Sequence, residues 1–99
     1  MVPSPIAPAA CLLLFDDERA AAQRLAQASG LQALEIARHR FPDGELKLRL
    51  PVDDTGRLPP RAVLLRSLHQ PNEKLVELLL AARTARSLGV QHLTLVAPY

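Results

Sequence analysis

A lone cysteine sets the first limit: Cys11 has no partner for an intrachain disulfide, so no covalent framework holds this chain together. At the head of the apolar run Cys11-Leu12-Leu13-Leu14-Phe15 it reads as a small buried hydrophobe, which fits a reducing, cytoplasmic setting. No stretch approaches the ~18 to 20 apolar residues needed to span a bilayer. Neither a P-loop nor another glycine-rich phosphate cradle is present. His39, His69 and His92 have neither metal-ligand spacing nor a clustered carboxylate partner, so each reads as structural, with His69, in a loop after a strand, best placed to near a ligand. Charge of one sign is also in short supply: 12 Lys and Arg against 10 Asp and Glu leave a net charge of +2. That excess does not argue for nucleic acid, and the isoelectric point near 9.2 follows from few titratable groups, without a concentrated basic surface.

What is there is ordinary globular material. Hydrophobic residues make up 48% and charged residues 22% of the 99 positions, against disorder or a membrane protein. A chain this short buries only about two-thirds of its unfolded surface, so its core is modest. Residues 1–10, broken by Pro3, Pro5 and Pro8 and lacking the basic start of a secretory segment, are expected to be a disordered tail. Residues 11–99 are expected to form the domain.

The apolar run Cys11 to Phe15 predicts a buried strand, with Asp16 or Asp17 capping a helix from Glu18 to Ser29. That helix places Ala21, Leu25 and Ala28 on one face, and Gly30 supplies its C-terminal stop. Pro51 to Pro60 is a loop by composition, Ala62-Val63-Leu64-Leu65 a central strand, and Asn72 to Leu88 the longest helical pattern. In it Leu75, Leu78, Leu79, Ala82 and Ala85 recur at helical spacing, Asn72 stands as N-cap, and Gly89 ends it. His92 to Val96 forms a last strand. Strands alternating with helices predict an α/β fold with a mostly parallel sheet, and two helices cannot fully cover both of its faces.

Between two segments of period-2 alternation lies Arg40-Phe41-Pro42-Asp43-Gly44-Glu45. Leu34 and Ile36 alternate with Glu35 ahead of it; Leu46, Leu48 and Leu50 alternate with Lys47 and Arg49 behind it. Pro-Asp-Gly folds such runs back on each other, because proline presets φ, the carboxylate accepts a local N–H and glycine tolerates positive φ. The tip of this antiparallel hairpin presents Phe41, Asp43 and Glu45. An aromatic face beside two acceptors suits a base with an exocyclic amine; the plain alternative is a solvated turn with Phe41 tucked under the sheet edge. Arg38, His39, Arg40, Lys47 and Arg49 also make the hairpin locally basic, a possible single-strand nucleic-acid surface, although Asp43 and Glu45 stand where a sugar-phosphate backbone would pass.

The ordered blocks Arg-Phe-Pro-Asp-Gly-Glu (40–45), Leu-Arg-Ser-Leu (65–68), Pro-Asn-Glu-Lys-Leu-Val-Glu-Leu-Leu (71–79) and Leu-Thr-Leu-Val-Ala-Pro-Tyr (93–99) resemble the N-terminal part of a ribose-phosphate pyrophosphokinase, over residues 11 to 99. The resemblance implies a phosphoribosyltransferase-like fold and transfer of diphosphate from ATP to ribose 5-phosphate, with Mg²⁺ whose ligands are not in this chain. It also implies a homo-oligomer in which Phe41, Asp43 and Glu45 contact the adenine of ATP at a neighbouring subunit's active site. No nucleic-acid or membrane partner is implied.

Three departures accompany the likeness. The sequence stops at Tyr99, ahead of the family's Arg-Gln-Asp segment, catalytic histidine, flexible basic loop and ribose-phosphate loop, so no catalytic residue is expected here and the 99 residues alone are expected to be inactive. The link from Leu50 to Ala62 is longer than usual and lacks the family's Val-Arg-Gly pattern, and the turn at Pro71 is one residue shorter than the common form. The rival readings are a non-catalytic, family-related interaction subunit and, further off, a nucleic-acid module.

Overall fold

The computed structural model describes residues 10–69 and 71–98. Five strands form one sheet: β1 (Ala10–Phe15), β2 (Gln32–Arg40), β3 (Leu46–Arg49), β4 (Arg61–Leu65) and β5 (His92–Val96), in the spatial order β3-β2-β1-β4-β5. Two helices, α1 (Arg19–Ser29) and α2 (Pro71–Ser87), complete the fold. The sheet is parallel except for the antiparallel β2–β3 pair. This is the α/β arrangement that the alternating pattern predicts. Most of the expected tail, residues 1–9, lies outside the described residues; Ala10 already belongs to β1.

Strand β1 lies at the centre because it is apolar on both faces. Leu12 and Leu14 point to one side, where they pack with Ala22, Leu65 and the partly buried Leu25 and Ala26; Cys11, Leu13 and Phe15 point to the other, among Ile36, Leu50, Leu58, Leu64, Ala81 and Ala85. The chain leaves β1 toward one edge of the sheet and β4 toward the other. Crossovers of one hand in opposite directions put their helices on opposite faces, α1 over Leu12 and Leu14 and α2 over Leu13 and Phe15. Coverage thins toward β5, where Leu95 is 43% exposed, in keeping with the expectation that two helices cannot clothe the whole sheet.

Several local expectations need correction. Asp16 and Asp17 do not cap α1: they lie in a single 3₁₀ turn, Asp16–Glu18, and make no side-chain cap bond, because arginines elsewhere claim their carboxylates. In α1 the inward side is Ala21, Ala22, Leu25 and Ala26; Ala28 is exposed, since the wheel turns it away from the sheet by the last turn. Helix α2 opens on Pro71, so Asn72 is inside the first turn and is not the N-cap; a proline fits there because the first helical N–H has no intrahelical acceptor. Its buried stripe is Glu77, Ala81 and Ala85 with Leu78 at the margin and Leu88 just past its end, whereas Leu75 and Leu79 point to solvent.

The helix ends follow their glycines. Gly30 adopts φ 77° and donates to the carbonyl of Ala26. At Gly89, with φ 113°, the N–H reaches Arg86 and the next N–H, of Val90, reaches Ala85, the paired closure that brings a buried Val90 back onto the core. The long loop after β3 is pinned where Leu58, itself buried, donates to the carbonyl of Leu88. Within it Asp53 Oδ1 accepts the N–H groups of Thr55 and Arg57 and the Thr55 hydroxyl, which holds the Asp53 carboxyl below the usual range.

Candidate functional site

Pairing of β1 with β2 ends at Phe15 and Ile36. From Ala37 onward β2 pairs only with β3, Ala37 with Arg49 and Arg40 with Leu46, so the hairpin carries on past the end of β1 as a two-stranded ribbon. Its turn is built as the residues dictate. Gly44 donates to the Phe41 carbonyl at 2.8 Å, Phe41 donates to the Glu45 carbonyl at 2.8 Å, and Gly44 takes φ 90° with nothing near its missing Cβ. Asp43 Oδ1 accepts the Glu45 N–H at 3.0 Å, and the Arg40 guanidinium donates to the Gly44 carbonyl at 2.9 Å.

The three tip residues all face water. Phe41 is 40% exposed and stands edge-on to the His39 ring, with centroids 4.4 Å apart; it is not folded under the sheet edge. Asp43 and Glu45 are exposed, and with Phe41, Pro42, Leu46 and Lys47 they line a shallow open concavity. The turn therefore offers one ring face, one Asp43 carboxylate oxygen beyond that used by the turn, and the free Glu45 carboxylate, an arrangement able to stack a planar ring and accept hydrogen bonds from its edge.

The second site lies where the connections of β1 and β4 part, the position at which open α/β sheets bind ligands. Sequence reasoning places Arg66 and Ser67 there, and the structure fills the place with an ion cluster. Arg66, 1% exposed, donates to Asp17 at 2.6 Å and to Glu77, and lies 3.4 Å from Glu18. Arg38 on β2 pairs with Asp16 at 2.7 Å and with the other Glu77 oxygen. The Ser67 N–H donates to Glu18 at 2.7 Å. Both guanidinium groups approach the Phe15 ring, Arg66 to 4.5 Å from its centroid and Arg38 to 5.7 Å. One buried N–H, Arg66 Nε, has no partner, and the ring beneath that guanidinium gives back part of its cost.

Burial by itself would raise the Asp17 carboxyl, but the hydrogen bond and charge of Arg66, joined by Arg38, hold it below the usual carboxylate range. Burial would likewise lower Arg38, and Glu77 overrides it, keeping that guanidinium firmly charged. With both arginines engaged by carboxylates, neither Arg66 nor Ser67 is disposed to receive a phosphate. The residues present do not suit Mg²⁺ either: Asp16, Asp17, Glu18 and Glu77 are taken by the arginines, and among the described residues no group of His, Cys, Asp and Glu is arranged to hold a metal ion. His69 adjoins the Ser67 hydroxyl at 3.2 Å and Lys74 Nζ at 3.1 Å on the surface, while His92 sits exposed at the start of β5. The one signal of the cluster in the sequence is Glu77, a carboxylate inside the apolar run Leu75 to Ala82.

Among the described residues no helix is long and apolar enough to cross a membrane. The architecture is similar to that of a purine phosphoribosyltransferase from Pyrococcus horikoshii, with a TM-score of 0.60 over 89% of this chain and 59% of that one; at 15% identity the likeness is one of fold. The ribose-phosphate pyrophosphokinase of Thermococcus kodakarensis is 37% identical over 71 residues, which are 72% of this chain but 24% of that protein, so the chain spans only a small part of its relative's length. A family model described as the N-terminal domain of ribose phosphate pyrophosphokinase matches residues 10–99. The chain therefore belongs to the family of ribose-phosphate pyrophosphokinase N-terminal domains.

Proposed function

We propose that this chain serves as the N-terminal portion of a ribose-phosphate pyrophosphokinase, an enzyme that moves the β,γ-diphosphoryl group of ATP to the anomeric hydroxyl of ribose 5-phosphate. Its own contribution is the ribbon tip. Phe41 stacks on the adenine of ATP held in a neighbouring subunit, while Asp43 and Glu45 accept hydrogen bonds from the amine edge. The observation that carries this reading is a ring left 40% exposed at the end of a ribbon, with both carboxylates in water beside it. A buried Phe41 would serve the core instead.

The division of labour follows from the chemistry. Diphosphoryl transfer needs positioning and stabilisation of charge on the transferred group. The tip can orient the nucleoside, but Arg40 is held by the Gly44 carbonyl and Arg38 and Arg66 by carboxylates, so that Lys47 is left as the cation lining its concavity. Phosphate, metal and ribose contacts are thus assigned to other parts of the enzyme. In this reading residues 11–99 are one domain of a cytoplasmic homo-oligomer, inactive alone. The decisive experiment compares Michaelis constants in the full-length protein: Phe41→Ala raises that for ATP far more than that for ribose 5-phosphate, and equal changes in both would overturn the assignment.

A further inference from the structure

Strand β1 stops at Phe15, and beyond it β2 and β3 run on with only each other for a neighbour. A two-stranded ribbon standing alone is marginal in water, so the order and direction of this one depend on what holds its root. Two cross-strand partners on its inward side supply the hold. Leu48 packs against the core cluster that α2 covers, and Arg38, opposite it in register, reaches back to the body of the domain.

Among the described residues Arg38 is the one ribbon side chain ion-paired to the body: Arg40 donates to the Gly44 carbonyl and Asp43 accepts the Glu45 N–H, both inside the turn. Its attachment has two points. Nη2 lies 2.7 Å from Asp16, in the turn that follows β1, and Nη1 donates to Glu77 on α2, while the guanidinium carbon stands 5.7 Å from the centre of the Phe15 ring. One contact would leave a pivot, whereas two on separate elements fix an angle. Pairing of Glu77 does not by itself call for a second arginine at the ribbon root, since Arg66 already takes the other Glu77 oxygen from the end of β4.

We propose that Arg38 is a positioning residue: it braces the root of the ribbon and thereby sets where Phe41, Asp43 and Glu45 arrive in a neighbouring subunit. This role rests on the reading of the tip as an adenine contact, and it adds the residue that aims it. The lever is long. From Ala37 to Pro42 the ribbon extends roughly 17 Å, at about 3.4 Å per residue, so a tilt of about 10° at its root carries the tip roughly 3 Å. That exceeds the ~1 Å misplacement that can already cost about 100-fold in rate.

Two measurements on the full-length protein test the brace. Hydrogen exchange followed by mass spectrometry reads the ribbon without any nucleotide: Arg38→Met speeds exchange in segment 37–49 by roughly 10-fold and leaves β1 and β4 unchanged. Steady-state kinetics reads the tip: the same variant raises the Michaelis constant for ATP by about 10-fold and leaves that for ribose 5-phosphate unchanged. Asp16→Asn removes one anchor, on a side chain 50% exposed, and spares the buried Arg66–Glu77 pair. It moves both readouts in the same direction by less, and it carries the test if Arg38→Met does not fold. Ribbon exchange at the parent rate overturns the proposal, as does faster exchange with no change for ATP or with an equal rise for both substrates. An ATP constant that responds to Arg38→Met but not to Phe41→Ala keeps the brace and rejects the adenine contact; one that responds to Phe41→Ala alone does the reverse.

Discussion

The guanidinium of Arg66, at the end of β4, and the carboxylate of Glu77, in the second turn of α2, hydrogen-bond out of water, with side chains 1% and 4% exposed. Together with Arg38, which takes the other Glu77 oxygen, they tie α2 to both β2 and β4. A buried ion pair adds little net stability over a well-packed apolar one, but breaking it strands a charge in the interior. Glu77→Ala is accordingly expected to cost about 3–5 kcal/mol, read as a lower urea midpoint with an unchanged slope. The exposed pair between Arg19 and Glu35, at 2.5 Å, provides the contrast: Glu35→Ala should shift the midpoint far less, because solvent screens it.

Acid sensitivity follows from the same cluster. Asp17 is held below the ordinary carboxylate value in the folded protein, as are Glu35 beside Arg19 and Asp53 in its loop. For such groups the unfolded chain binds protons first as pH drops. Their stabilisation is complete above an unfolded value of about 4 and is lost as pH falls through the lower folded value. Denaturation series between about pH 7 and pH 2 should show stability steady down to about pH 4 and declining below it. Asp17→Asn should start lower and decline less steeply.

Gly44 bears a prediction about the ribbon itself. Its φ of 90° is one that L side chains rarely adopt, and no atom lies near the position of an added Cβ. Any cost of Gly44→Ala is therefore backbone strain without steric clash, about 1–2 kcal/mol. Gly44→Asn should be milder, since asparagine visits the left-handed region more readily. Melting temperatures of the two variants check the order.

For the proposed adenine contact, loss of one base-stacking ring is worth roughly 1–3 kcal/mol. Phe41→Ala should then raise the Michaelis constant for ATP about 5- to 150-fold in the full-length protein while leaving that for ribose 5-phosphate nearly unchanged. Asp43 needs a gentler substitution, because its carboxylate also holds the Glu45 N–H. Asp43→Asn keeps an oxygen for the turn but removes the negative charge, and it should weaken ATP without lowering the melting temperature. A weaker fold with unchanged ATP affinity would show that Asp43 serves the turn alone.

How far the fold was legible varies with the range of the physics involved. The strands at 10–15, 61–65 and 92–96, the hairpin and the glycine stops agree with expectation to within a residue or two, since each rests on neighbours along the chain. The faces of α2 were not legible. Leu75, Val76, Leu78, Leu79, Leu80, Ala81 and Ala82 make the helix apolar nearly all round, so periodicity could not choose between a stripe through Leu79 and one through Ala81. Asp16 and Asp17 read as caps because a cap needs only the next turn, whereas their partners are distant in sequence, Arg38 on β2 and Arg66 just past the end of β4. Pro42-Asp43-Gly44 placed the hairpin turn where the structure has it, and what Phe41, Asp43 and Glu45 bind rests on the proposal above.

Alternation, turn chemistry and proline or glycine punctuation determined, from the sequence by itself, which segments extend, which coil and where the ribbon turns, because those preferences act over a few residues. Only the tertiary structure decided that Arg66 is spent on Asp17 and Glu77, and that α2 buries Glu77 and turns Leu79 outward. The reason is energetic: two arginines brought beside Phe15 by β2 and β4 need carboxylates more than the sheet needs another leucine, so the helix rolls to supply one.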